Sequence, residues 1–103
     1  MPKTILETAI LYVKHDLKAR FEADFGKAGQ YISATKGYIK HSLSNCIEHP
    51  DKYLLLVEWE TLEDHTIGFR ESPQYLEWKK LLHHYYEPFP VVEHYSTIIE
   101  HKG

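Results

Sequence analysis

The residues best placed to do chemistry lie between Tyr53 and Tyr75, in the stretch YLLLVEWETLEDHTIGFRESPQY. Trp59 ends an apolar run, and Leu62, His65 and Phe69 follow at helical i, i+3, i+7 spacing, so one face of a short helix carries a histidine inward with two hydrophobic residues. An imidazole with an ordinary pKa of about 6.5 suits removal of a proton from an acidic phenol or from a carbon beside a carbonyl. The indole of Trp59 has a single N–H that could hydrogen-bond an anionic oxygen. Tyr75 and Trp78 on the next helix could wall the same space, giving an aromatic-lined cavity with a few polar tips, a common form of site for a small planar ligand. The same residues also describe an ordinary core, with a satisfied histidine among packing rings. Residue types alone leave both readings open.

Positioning these groups requires the following elements. Residues 4–14, TILETAILYVK, are β-branched and apolar and predict a strand. Asp16 offers an N-cap oxygen to a helix in which Leu17, Phe21, Phe25, Ala28 and Ile32 form one apolar stripe, and Gly37 is a plausible stop. Residues 38–47 alternate, with Ile39, Leu43 and Ile47 on one face, and His49-Pro50-Asp51-Lys52 supplies a turn. The strand Tyr53–Glu60 then pairs back with Tyr53, Leu55, Val57 and Trp59 on one face and Leu54, Leu56 and Glu58 on the other. Thr61 and Asp64 have capping-box spacing, and Ser72-Pro73 opens a helix whose stripe is Tyr75, Trp78, Leu82 and Tyr85. A last strand is expected over 91–99. The order is β-α-β-β-α-β, the split βαβ arrangement of an α+β protein.

Both faces of the Tyr53–Glu60 strand are apolar until Glu58. With both helices on one side of a four-stranded antiparallel sheet, the aliphatic residues of the other side would form an exposed patch. Burying each such side chain is worth roughly 1.5–3 kcal/mol. A second copy packed face to face about a two-fold axis is the economical cover, so a homodimer through the open sheet face is expected.

The remaining composition narrows the function classes. A chain of 103 residues reads as one domain, 1–103. Its net charge is −3 with no basic cluster, which argues against a nucleic-acid partner. No apolar run approaches the ~18 residues needed to span a bilayer, and no leader pattern is present, so a cytoplasmic protein with no membrane partner is expected. Cys46 is the lone cysteine, with nothing in its context to suggest nucleophilic work. Eight histidines invite a metal reading. Adjacent His83 and His84 diverge by about 100° on a helix, no HExxH or CxxC occurs, and His41 and His94 could meet across the sheet with nothing else converging on them. No metal site is expected.

The element order, the E-W-E-T that ends the third strand, His65, and S-P-Q-Y at 72–75 together resemble the antibiotic biosynthesis monooxygenase-like family of dimeric α+β barrels, over nearly the whole chain. The resemblance implies a ferredoxin-like βαββαβ fold, a homodimer, and a pocket between sheet and helices. It also implies oxygenation of aromatic polyketides or quinols without metal or flavin, the substrate anion itself supplying electrons to dioxygen. Trp59 matches the tryptophan of that pocket. His65 stands where polyketide-tailoring members have a tyrosine, Leu55 where they have an asparagine, and Lys79 corresponds to a basic residue late in the second helical region. Loss of the asparagine argues against polyketide chemistry. Haem-degrading members have a first-strand asparagine and a helical tryptophan and axial histidine that this chain lacks, which argues against haem. The expectation is a cofactor-independent monooxygenase for a small phenolic or quinol-like compound. In it His65 would be the base or a substrate hydrogen-bonding group and Trp59 would orient the substrate or the oxygenated anion, with Phe69, Tyr75, Trp78 and Lys79 on the substrate. The alternatives are a non-catalytic dimer that binds a small molecule or serves a stress response, and an isomerase or decarboxylase on the same scaffold.

Overall fold

The β-branched first segment forms strand β1, Ile5–Tyr12, in a computed structural model that describes residues 4–103. A single 3-10 turn, His15–Leu17, leads into helix α1, Lys18–Ser33. Asp16 falls inside that turn and makes no capping bond, so the helix starts one residue later than its expected cap implies. Strands β2, Tyr38–Asn45, and β3, Lys52–Trp59, follow as a hairpin. Helix α2, Pro73–Leu82, is capped by Ser72, whose hydroxyl accepts from the Tyr75 N–H at 3.2 Å and donates to the Phe69 carbonyl at 2.6 Å. The last strand, β4, is Val92–Ser96. The strands form one antiparallel sheet in the order β2-β3-β1-β4, the ferredoxin-like α+β topology.

Strand parity decides which side chains meet the helices. Glu7, Ala9 and Leu11 of β1 face the same way as Tyr53, Leu55, Val57 and Trp59 of β3, and all seven are buried. The apolar stripe of α1, Phe21, Phe25, Ala28 and Ile32, closes on them together with Trp78 and Leu82 of α2. Phe21 is wholly buried among the rings of Phe25, Tyr53, Tyr85 and Tyr86, with centroids 5.0–6.3 Å away in tilted or edge-on geometry. Opposite parity leaves Ile10, Tyr12, Leu54 and Tyr95 exposed on the other face.

Several local expectations are corrected. An irregularity between Tyr38 and Lys40 shifts the β2 register, so Leu43 packs against the core while Ile39 is turned outward. Ile47 lies beyond the strand and is 91% exposed. Strand β4 stops at Ser96, leaving Ile98 and Ile99 exposed. Gly37 is the one glycine whose backbone demands its type: its φ is +87°, and a Cβ there would run into the Asp64 carboxylate. Its carbonyl accepts from the Glu60 N–H at 2.7 Å, which ties the end of β3 to the start of β2. Among the described residues, no helix is long and apolar enough to cross a membrane.

Candidate active site

Between β3 and α2 the chain does not form an ordinary helix. Thr61 accepts from the Asp64 N–H at 3.1 Å, as the capping spacing predicts, and Asp64–Phe69 then winds as a π-type turn. Wider winding changes which residues share a face. His65 and Phe69 are buried, at 3% and 2% exposure, while Leu62, expected on the same inner stripe, is 39% exposed.

His65 enters the protein over the inner face of the sheet, where Glu7 is waiting. The Trp59 N–H donates to Glu7 Oε1 at 2.9 Å, and His65 Nε2 lies 3.4 Å from the same oxygen. On its other side His65 Nδ1 lies 2.8 Å from Nε2 of His94. The indole and imidazole stack, with centroids 5.4 Å apart and planes 20° apart, and Phe69 packs against both, 6.0 Å from the indole and 6.4 Å from the imidazole. Sheet register produces this grouping: Glu7 sits directly between Val57 on β3 and His94 on β4, with Trp59 two residues along from Val57. His94 therefore meets His65 rather than His41, which bonds Tyr38 through its Nδ1 at 2.5 Å.

Burial is the leading electrostatic influence on every member of the group. It pushes the Glu7 carboxyl above its usual range, against the opposing pull of the Trp59 hydrogen bond and the Arg70 charge. It lowers His65 to about 3, assisted by the positive charges of Arg70 and His94, and it lowers His94 as well. His65 is thus a neutral imidazole near neutral pH. Its 3.4 Å approach to Glu7 is therefore the contact of a neutral ring with a carboxyl group and not an ion pair.

Glu7 and His65 form the polar end of a cavity of about 50 Å³. Ala9, Leu55 and Val92 supply its floor, Phe25 and Ile32 of α1 and Trp78 and Leu82 of α2 its walls, and Phe69 and Tyr75 the side beside the histidine. Arg70, His83, Phe89 and Pro90 also line it. The expected pocket residues Phe69, Tyr75 and Trp78 are therefore brought together with His65. Trp59 is fully buried behind Glu7, its N–H engaged, and reaches the cavity only through that carboxylate. Lys79 follows inward-facing Trp78 by one residue, is exposed, and is not part of the lining. Glu7, His94 and Arg70 are the site residues that sequence reasoning missed. Glu7 had a signal, an acid at the buried parity of ILETAILYV, whereas His94 is placed only by the register. Among the described residues, no group of three or more His, Cys, Asp or Glu side chains is arranged to hold a metal ion.

Comparison with known proteins locates this architecture. A family model described as antibiotic biosynthesis monooxygenase matches residues 4–81. The chain is 57% identical over 94 residues to YczJ of Bacillus subtilis (strain 168), an uncharacterized protein, covering 91% of this chain and 99% of that one. A solved structure from Bordetella bronchiseptica, provisionally assigned as an antibiotic biosynthesis monooxygenase, superposes with a TM-score of 0.90 at 32% identity, covering 94% of this chain and 99% of the other. SnoaB of Streptomyces nogalater, a cofactor-independent oxygenase, shares the fold with a TM-score of 0.74 at 16% identity, covering 97% and 96%.

The lowered His65 value carries a stability consequence of definite sign. Below about pH 6.5 the unfolded chain binds a proton at this histidine and the folded chain does not, until the pH reaches the folded value. Stability therefore falls as pH drops through that window. Glu7, raised on folding, acts in the opposite direction and offsets part of the loss. Urea unfolding midpoints measured between about pH 7 and pH 4 will decline for the wild type and decline less for His65→Gln. Parallel slopes for the two proteins would contradict the assignment.

Proposed function

The chain belongs to the antibiotic biosynthesis monooxygenase family, and we propose that it is a cofactor-independent monooxygenase acting on a small phenolic or quinol-like compound. The observation that supports this most directly is a neutral imidazole beside a buried carboxylate at the polar end of a hydrocarbon-walled cavity. An electron-rich phenol must lose its proton before its anion can reduce dioxygen, and a water-poor cavity with a proton acceptor favours that step. Written for a phenol, the product is a quinone that has gained one oxygen atom. The other oxygen atom leaves as water, and all the electrons come from the substrate. In this reading His65 and Glu7 receive the proton, Trp59 holds the carboxylate in place, and Phe69, Tyr75 and Trp78 sandwich the ring. The Arg70 guanidinium favours the anion. No step calls on Lys79.

The cavity has room for dioxygen but is about a third of the roughly 150 Å³ that accommodates benzene in an engineered apolar cavity. Ring entry therefore requires displacement of the mouth. Phe89, 64% exposed and in edge contact with His83 at 5.2 Å, is the aromatic side chain we assign to that displacement.

We further propose that the protein works as a homodimer through the open sheet face. There Thr8, Ile10, Tyr12, Leu54, Leu56 and Tyr95 line an apolar groove of about 440 Å³. Light scattering is expected to give twice the chain mass, and Leu54→Lys to give the monomer mass with its secondary structure retained. A monomeric wild type would remove the dimer.

Oxygen uptake with a panel of phenols and hydroquinones in metal-chelated buffer tests the activity. His65→Ala should lower turnover by about 10²–10⁴-fold, the usual range for a proton-transfer residue, whereas Lys79→Ala should leave it unchanged. Ligand-induced thermal stabilisation without any oxygen uptake would favour a non-catalytic binding protein. Turnover that is equal under anaerobic conditions would favour an isomerase.

A further inference from the structure

The row of Glu7, His65 and His94, with a 2.8 Å hydrogen bond between the two imidazoles and His65 Nε2 lying 3.4 Å from Glu7 Oε1, joins two different environments. Glu7 and His65 line the cavity and are almost fully buried, at 5% and 3% exposure. His94 does not line the cavity. It lies on β4, an edge strand, is half-buried, and its Nδ1 makes no hydrogen bond among the described residues. We propose that these three side chains form a proton relay between the polar end of the cavity and solvent, with His94 as its outer terminus.

Donor and acceptor accounting yields two complete arrangements on the same heavy atoms. When Glu7 is ionised, Oε1 accepts from both the Trp59 N–H and the His65 Nε2–H. His65 Nδ1 then accepts from the His94 Nε2–H, and His94 Nδ1 is left as a bare acceptor facing out. When Glu7 is protonated, its O–H donates to His65 Nε2, the His65 Nδ1–H donates to His94 Nε2, and His94 Nδ1 carries a hydrogen outward. Passing from the second state to the first moves one proton from Glu7 to His65, one from His65 to His94, and one from His94 to water. No side chain rotates, no bond between heavy atoms changes, and Glu7 alone changes charge. The Trp59 N–H can donate to the Glu7 oxygen in both states, since a hydroxyl oxygen also accepts.

The surroundings favour conduction by neutral rings. Facing His65 are Glu7 of β1, His94 of β4, the Arg70 cation just past the π-type turn, and the uncharged faces of Trp59 and Phe69. Arg70 opposes a second positive charge on either histidine while favouring the Glu7 anion. The relay thus passes a proton by exchanging tautomers and need not store a cation. It extends the oxygenase reading, in which a phenol must shed a proton inside the cavity, but its geometry exists without any substrate.

Nitrogen-15 NMR of histidine-labelled protein over a pH series, with no substrate present, tests the relay apart from the reaction. The two rings are expected to switch together, from Nε2–H at higher pH to Nδ1–H at lower pH, with one shared midpoint set by Glu7 and without passing through the imidazolium. Glu7→Gln should abolish the switch, and His94→Gln should slow exchange of the His65 ring proton with water. Independent midpoints, a fixed tautomer across the series, or direct formation of imidazolium at His65 would overturn the proposal. If Glu7→Gln fails to fold, the wild-type titration decides alone. Absence of oxygen uptake with these NMR results intact would count against the proposed reaction and not against the relay.

Discussion

A carboxylate is buried on the inner face of a β-sheet, and the rest of the site follows from satisfying it. Leaving a buried ionised group without partners is far more costly than losing an ordinary hydrogen bond. Glu7 avoids that through the Trp59 N–H, the His65 ring and the nearby Arg70 charge. Each partner comes from a different place in the chain: the end of β3, the π-type turn, and the residue just past that turn. The carboxylate thereby makes the position of the turn, the orientation of the indole and the register of β1 against β4 mutually dependent. A one-residue slip of β1 would send Glu7 to the open face and leave the indole and imidazole without their acceptor.

The same constraint explains why the aromatic residues lie where they do. The Trp59, His65 and Phe69 rings pack in a triangle, with centroids 5.4, 6.4 and 6.0 Å apart, so the histidine is held by ring contacts as well as by its nitrogens. Phe69 in turn meets Tyr75 and Trp78 edge-on, at 5.4 and 5.8 Å, which carries the packing from the π-type turn to α2. The cavity is the space these rings do not fill. It is polar where Glu7, His65, Arg70 and His83 line it and apolar elsewhere, and in the proposed reaction a substrate's acidic oxygen would point to the Glu7 end while its ring lies along α1 and α2.

Much of the fold was legible in the residues. Parity in Tyr53–Trp59 separates the buried face from the open one correctly, and the α1 stripe Phe21, Phe25, Ala28 and Ile32 is wholly buried. Helix punctuation was legible at Ser72-Pro73, where side-chain and backbone chemistry act locally, whereas α1 ends at Ser33 with Ala34 as its cap, and Gly37, expected as its stop, serves the turn into β2 instead. Irregularity was harder to see. The β2 bulge that turns Ile39 outward and the π-type winding that exposes Leu62 are set by tertiary packing, and a period-based reading assumes regular geometry. In the site, His65, Phe69, Tyr75 and Trp78 could be grouped because they lie close in sequence. Glu7 and His94 could not, because 52 residues separate Glu7 from Trp59 and 29 separate His65 from His94, and only strand register brings them together. The role expected for Trp59 changed for the same reason: its one donor already had an acceptor that the local sequence does not show.

The most direct measurement of the central claim is the ionisation of Glu7 itself. Difference infrared spectra between neutral and acidic solution, compared with those of Glu7→Gln, isolate the carboxyl C=O stretch of this one residue. A band absent from the variant, appearing with a midpoint above the ordinary value of 4.5 and at the frequency of an acid shielded from water, is the predicted result. A Glu7 band that titrates together with the exposed carboxylates would contradict the account. It would mean that the group is hydrated, and the indole, the two imidazoles and the cavity would then no longer be organised around a buried acid.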